Sequence, residues 1–235
     1  MAGSLTTPEE QDGTVPAIVC GVWLGVLPKP YYADDWVTLY HADCCEILDG
    51  MPEVDAVITD PPYNVGLEYG GGVNDSKTDY AEWCRTWATK LRAPRKAIST
   101  GIANMPMWQA MMPPTWWLCW HKPAAMGRCV VGFNNWEPIG LWGKPIRATC
   151  DVITATIKPD ASVDGHPCPK PLDWAKKQIE MLVPEKGTVL DPFSGTGTVL
   201  LAAKELGRKA IGIEINERYC EIAALRMGQS FFAFA

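Results

Sequence analysis

The last third of the chain constrains the fold most. Leu172 to Leu182 reads as a helix, Thr188 to Asp191 as a strand, Thr198 to Leu206 as a helix, Lys209 to Ile215 as a strand and Glu217 to Met227 as a helix. Strands alternating with helices at this spacing predict an α/β fold with a parallel, doubly wound sheet. Upstream, Val54 to Thr59 is a short run, apolar on both faces, that stops at Asp60-Pro61-Pro62. Two prolines cannot continue a hydrogen-bonded ladder, so the run reads as a buried parallel strand ending at Asp60. Further strands are expected at Trp36 to Tyr40, Lys96 to Thr100, Trp116 to His121, Ile139 to Trp142 and Val152 to Ile157, and a short helix at Cys44 to Leu48. Tyr80, Trp83, Trp87 and Leu91 recur at helical intervals, so Asp79 to Leu91 is expected as an amphipathic helix whose Trp stripe faces the core.

A chain of 235 residues with 47% apolar and 20% charged residues fits one soluble domain. We assign that domain to residues 31–235, with 1–30 as a partly disordered N-terminal extension and a short recognition insert around 143–165. The apolar stretch Ala17 to Leu27 has 11 residues, short of the about 20 that cross a bilayer, and no basic residue precedes it. A buried or edge segment of a cytoplasmic protein, with no membrane partner, is the expectation. Nine cysteines are present without the paired spacing of a structural zinc site, and their odd number argues against a closed disulfide set. Reduced, mostly buried thiols and no metal are expected.

The formal charge is -6, but it is unevenly spread. Between Trp83 and Cys150 nine basic residues (Arg85, Lys90, Arg92, Arg95, Lys96, Lys122, Arg128, Lys144 and Arg147) stand against one acid, Glu137. A surplus of +8 over residues 83–150 would suit a basic face presented to a polyanion.

Asp191-Pro192-Phe193-Ser194-Gly195-Thr196-Gly197-Thr198 joins a strand to a helix, and its glycines permit a tight turn and close approach of a ligand to the backbone. Glu214, at the end of the next strand, can accept hydrogen bonds from ribose hydroxyls. The turn lacks the third glycine of a dinucleotide site and the lysine of a phosphate loop. A cofactor with ribose and adenine but no phosphates fits better, and S-adenosylmethionine is one.

Thr59-Asp60-Pro61-Pro62-Tyr63-Asn64, His166-Pro167-Cys168-Pro169-Lys170-Pro171 and the Asp191 to Thr198 turn followed by Gly212-Ile213-Glu214 resemble the motifs of bacterial and phage amino-methyltransferases acting on DNA. Their order is similar to that of the β group, in which the catalytic tetrapeptide precedes the cofactor turn. The resemblance implies a Rossmann-like sheet, permuted so that the cofactor-binding half is C-terminal yet central. It implies catalytic Asp60, Pro61, Pro62 and Tyr63, and a cofactor held by Asp43, Asp60, Lys170, Asp191, Phe193, Ser194, Gly195, Thr196, Gly197 and Glu214, with Asp43 near the adenine amine and Lys170 at the methionine end. A homodimer is compatible with it. Asp rather than Ser at the first tetrapeptide position points to adenine N6, with cytosine N4 as the alternative and an RNA methyltransferase or a catalytically silent DNA-binding relative as more distant ones.

An exocyclic amine is a poor nucleophile because its lone pair is delocalised into the ring. Acceptors aimed at the NH2 group localise that pair, and Asp60 with the Pro61 carbonyl can supply two. Tyr63 offers a face on which a base rotated out of a duplex can stack.

Overall fold

The computed structural model describes residues 15–19, 22–67, 75–123, 127–157 and 169–229, with side chains from Leu27 onward. In chain order the first half contains β1 (Val15–Val19), β2 (Val22–Leu27), β3 (Tyr32–Ala33), β4 (Val37–His41), α1 (Cys44–Ile47), β5 (Ala56–Thr59), α2 (Tyr80–Ala88), β6 (Lys96–Ser99) and α3 (Met105–Met111). The second half contains β7 (Trp116–His121), β8 (Gly127–Cys129), β9 (Gly132–Asn134), β10 (Trp136–Trp142), β11 (Val152–Thr154), α4 (Leu172–Leu182), β12 (Thr188–Asp191), α5 (Thr198–Glu205), β13 (Lys209–Glu214) and α6 (Glu217–Gln229).

Nine strands form one sheet in the order β11-β7-β10-β6-β5-β12-β13-β4-β3. Every pairing from β6 through β4 is parallel, whereas β10 and β3 run antiparallel to their neighbours. The fold is thus an α/β, mostly parallel Rossmann-like sheet, and β12, which comes late in the sequence, sits in the middle beside β5.

Alternation along each strand builds the layers. Ala56 and Ile58 of β5 face a core shared with Trp174 and Ile179 of α4, Val199 of α5 and Ala223 of α6. Val57 faces the opposite core, with Leu48, Cys84, Trp87 and Trp108. After β12 the chain crosses on one face through α5 to β13, and after β5 on the other through α2 to β6. The carboxyl ends of β5 and β12 therefore lie where the winding reverses, the place an open α/β sheet leaves a crevice.

The described part of Ala17 to Leu27, expected as a buried or edge segment of a partly disordered extension, falls in β1 and β2, an antiparallel hairpin with a register shift after Pro16, where a ladder donor is lost. Buried Leu27 anchors it to the core of Leu48, Met51 and Val57, while residues 1–14 lie outside those described. Part of the insert around 143–165 is β11, which pairs with β7 and extends the sheet; residues 158–165 lie outside those described. Helix α3 and the β8–β9 hairpin were not foreseen. Among the described residues no helix is long and apolar enough to cross a membrane.

Gly143, just after β10, has φ 82°, and a Cβ there would lie 2.1 Å from the Pro94 carbonyl oxygen. Gly143→Ala should therefore destabilise the protein by about 1–3 kcal/mol or more, since backbone rather than a yielding side chain blocks the methyl. A lowered denaturant midpoint at unchanged slope would report it.

Candidate active site

All the strands that feed the site end at one edge. Asp60 follows β5, Asp191 closes β12, Glu214 closes β13, His41 closes β4, and Lys122 follows β7. Thr59 Oγ1 donates to Asp191 Oδ1 at 2.7 Å in a fully buried bond, tying the tips of β5 and β12 together. The same oxygen accepts from Phe193 N at 3.1 Å and so starts the turn. Burial raises the Asp191 carboxyl to about 7, against these two bonds and with the help of the Asp60 and Glu214 charges. Asp191 thus acts first as a pin for the cradle.

Gly195 and Gly197 adopt φ 50° and 81°, which only glycine takes readily. Glu214 receives Gly195 N and Asn216 N, each at 2.8 Å, on separate carboxylate oxygens. Burial raises its carboxyl against those bonds. Ser194 folds back on the Ile213 carbonyl, and buried Arg226 of α6 donates to the Thr196 carbonyl at 2.6 Å. Asp43 caps α1 through Cys45 N at 2.8 Å.

A cleft opens between these groups. Asp43, Asp60, Lys170, Asp191, Phe193, Ser194, Gly195, Thr196 and Glu214 line it, as does Trp83, whereas Gly197 sits behind as the start of α5, a Cβ on it meeting Ala223 at 3.0 Å. Trp83 was expected in the core stripe with Tyr80, Trp87 and Leu91; those three are buried, but Trp83 lines the cleft, 5.6 Å from Phe193. The chemistry suits a nucleoside without phosphates. Glu214 and Asp43 would repel a phosphate but can accept from ribose hydroxyls or an adenine amine. The lining lysines are committed elsewhere: Lys77 lies 4.8 Å from the Trp83 ring, and Lys170 pairs with Asp60. Asp43, Cys44 and Cys45 bring three potential metal ligands within 4.8 Å, fewer than a closed zinc site needs.

At the tetrapeptide the chain has left the sheet. Tyr80 donates to the Pro62 carbonyl and Asn104 to the Tyr63 carbonyl, both at 2.8 Å. No donor among the described residues engages the Pro61 carbonyl. Asp60 is held on both oxygens, by Tyr63 Oη at 2.5 Å and Lys170 Nζ at 2.6 Å. Tyr63 Oη also reaches Glu137 Oε2 at 3.2 Å, and Glu137 pairs with Lys122 at 2.5 Å. Burial raises Asp60, opposed by Lys170 and reinforced by Glu137. Burial also pushes Glu137 upward, but Lys170 and Lys122 outweigh it and hold that carboxyl below the ordinary range.

Glu137 and Lys122 were not assigned to the site from sequence. The available signal was that Glu137 is the one acid in the basic stretch, opposite Trp120 across the β7–β10 ladder. That stretch is not one basic face. Lys90, Arg92, Arg95, Lys96 and Lys122 bond to carbonyls or carboxylates of the protein itself, and Arg85 pairs with Glu82, so proximity in sequence overstated the charge offered to a polyanion. Arg128, Lys144 and Arg147 are exposed.

A nucleoside cradle beside a strand end that carries a carboxylate and a backbone carbonyl fits one class, a methyltransferase acting on an amino group. Residues 116–225 match the DNA methylase family of N6 and N4 enzymes. The chain is 39% identical over 246 residues to the type II methyltransferase M.HinfI of Haemophilus influenzae, covering 81% of this chain and 68% of the relative. The complex of M1.HpyAVI with S-adenosylmethionine superposes with a TM-score of 0.63 at 25% identity, over 81% of this chain and 98% of that one. PvuII DNA methyltransferase, a cytosine-N4-specific enzyme, superposes with a TM-score of 0.69 at 17% identity, over 84% and 88%. This chain belongs to the N6/N4 DNA methylase family: it is an S-adenosylmethionine-dependent DNA amino-methyltransferase with type II methyltransferases among its relatives.

Because Asp191 is raised in the fold, it adds stability that is present below its unfolded value of 3.8 and is lost as pH rises through about 7. Denaturant unfolding at pH 5 and pH 8 should show a smaller pH-dependent loss in Asp191→Asn than in the wild type.

Proposed function

We propose that the enzyme methylates the N6 amino group of adenine in DNA, with Asp60 and the Pro61 carbonyl as acceptors for the amine. The single observation that carries this is the strand end. Two prolines free the backbone there, and a carboxylate stands beside a carbonyl, that of Pro61, which has no donor among the described residues. Asp at the first position, where cytosine-N4 enzymes of the resembling group more often have Ser, favours adenine.

Bound S-adenosylmethionine supplies an electrophilic methyl group. Glu214 and Asp43 would take the ribose hydroxyls and the adenine amine, Phe193, Ser194, Gly195 and Thr196 the adenosine flank, and Lys170 the methionine end. Gly197 shapes the turn from behind, and Asp191 pins it through Phe193 N. Asp60 and Pro61 draw the amine hydrogens toward themselves and turn the nitrogen lone pair toward the methyl, so the protein's task is mostly positioning. Tyr63 would stack on the extruded base, its carbonyl fixed by Asn104 and the preceding one by Tyr80. No covalent enzyme intermediate is needed. Arg128, Lys144 and Arg147 are the exposed members of the 83–150 segment available to phosphates.

Cytosine N4 is the second reading, favoured by the cytosine-N4-specific structure of the same fold. Plasmid DNA treated with the protein and S-adenosylmethionine, then digested to nucleosides, should contain N6-methyladenine; N4-methylcytosine in its place would select the second reading. Asp60→Ala should lower turnover by at least a thousandfold, about 4 kcal/mol in activation free energy. Calorimetric affinity for S-adenosylmethionine should change little, and retained turnover would remove Asp60 as the amine acceptor.

A further inference from the structure

Both oxygens of Asp60 are engaged, by Tyr63 Oη and by Lys170 Nζ. A carboxylate offers about four acceptor sites, but each strong donor withdraws charge from the oxygen it meets, so two of them leave a weaker acceptor for a third. A target amine is held more strongly if Asp60 shares or releases one of them. The two donors have a second place to go. Tyr63 Oη lies 3.2 Å and Lys170 Nζ 3.8 Å from the same oxygen of Glu137, Oε2. The other oxygen, Oε1, is fixed by Lys122 at 2.5 Å, so Oε2 is held in place facing them.

The surroundings keep this exchange short and local. Glu137 and Lys122 stand at the facing ends of β10 and β7, and Lys122 N bonds the Asn135 carbonyl at 2.6 Å. The face of buried Trp120 lies 5.3 Å from Lys170 Nζ and 5.2 Å from Lys122 Nζ, a cation-π floor over which an ammonium can shift about an ångström without losing its attraction. Among the described residues two carboxylates face two lysines, with the Tyr63 hydroxyl between the acids.

We infer that Glu137 is a positioning residue that takes over Lys170 and Tyr63 from Asp60 when the target base enters, freeing Asp60 to accept from the amine. This rests on Asp60 being the amine acceptor. Proton count does not change in the exchange: Lys170 stays an ammonium, Tyr63 keeps its proton, and both carboxylates stay ionised.

The test uses the full chain and Glu137→Gln, nearly the same shape without the charge. The amide oxygen is too weak an acceptor to draw the donors away, so kcat should fall at least tenfold while S-adenosylmethionine affinity stays within twofold. Asp60 would also lose a like-charged neighbour, so the acid limb of the pH–kcat profile should move to lower pH, a shift that a merely structural role would not cause. Unchanged kcat, or a lowered kcat with the acid limb unmoved, would overturn the inference. Asp60→Ala separates the two levels: an active Asp60→Ala sinks the underlying reading, whereas an inactive Asp60→Ala beside a fully active Glu137→Gln sinks the exchange alone. If Glu137→Gln does not fold, a crystal structure of the wild type with S-adenosylhomocysteine and a duplex it methylates decides. Lys170 Nζ bonded to Glu137 supports the exchange, and Lys170 still on Asp60 beside the bound base contradicts it.

Discussion

A single buried hydrogen bond, Thr59 Oγ1 to Asp191 Oδ1, joins residues 132 positions apart and sets the geometry on which the rest of the site depends. One residue beyond Thr59 the prolines force the chain off the sheet at Asp60. Two residues beyond Asp191 the Phe193 amide, bonded to that same carboxylate, begins the cofactor turn. The methyl donor's cradle and the acceptor for the methylated group are thus fixed relative to each other through one carboxylate. Asp191 carries the expense of this arrangement, its carboxyl raised to about 7 by burial.

Around that pin the site is charged but largely shut off from water, a combination that is costly unless every charge is met. Lys122, Glu137, Lys170 and Asp60 meet it in a chain of alternating sign, ending on the Tyr63 hydroxyl and resting on Trp120. Such a network adds little net stability compared with apolar packing. Its worth is positional, because two carboxylates that share donors can trade them over about an ångström without exposing a bare charge. On the other side Trp87 packs its buried ring against Phe193 and against buried Trp108.

Much of the frame was legible because it depends on local pattern. β7, α4 and β12 fall on the residues their periodicity indicates, and the late, central position of β12 follows from the order of the motifs. What the sequence concealed depends on contacts between distant segments. Lys122 looks like an ordinary member of a basic stretch and Glu137 like its lone acid until the β7–β10 ladder sets them together beside Tyr63. Trp83 shares the spacing of a core stripe, yet at the sheet edge one turn of helix separates the core from the cleft. Asp75, eleven positions beyond Asn64, is buried and accepts from the amides of Asn64 and Val65, so that it holds the chain just after the tetrapeptide, a contact no local pattern announces.

The central claim is geometric: the C-terminal cradle presents its cofactor to the amine acceptor at the end of β5. A crystal structure of the chain with S-adenosylmethionine tests it most directly. The account predicts the ribose on Glu214, the adenine between Asp43 and Phe193, and the sulfonium methyl directed at the space in front of Asp60 and the Pro61 carbonyl. A cofactor seated elsewhere, or one in this cleft with its methyl turned away from Asp60, would contradict it.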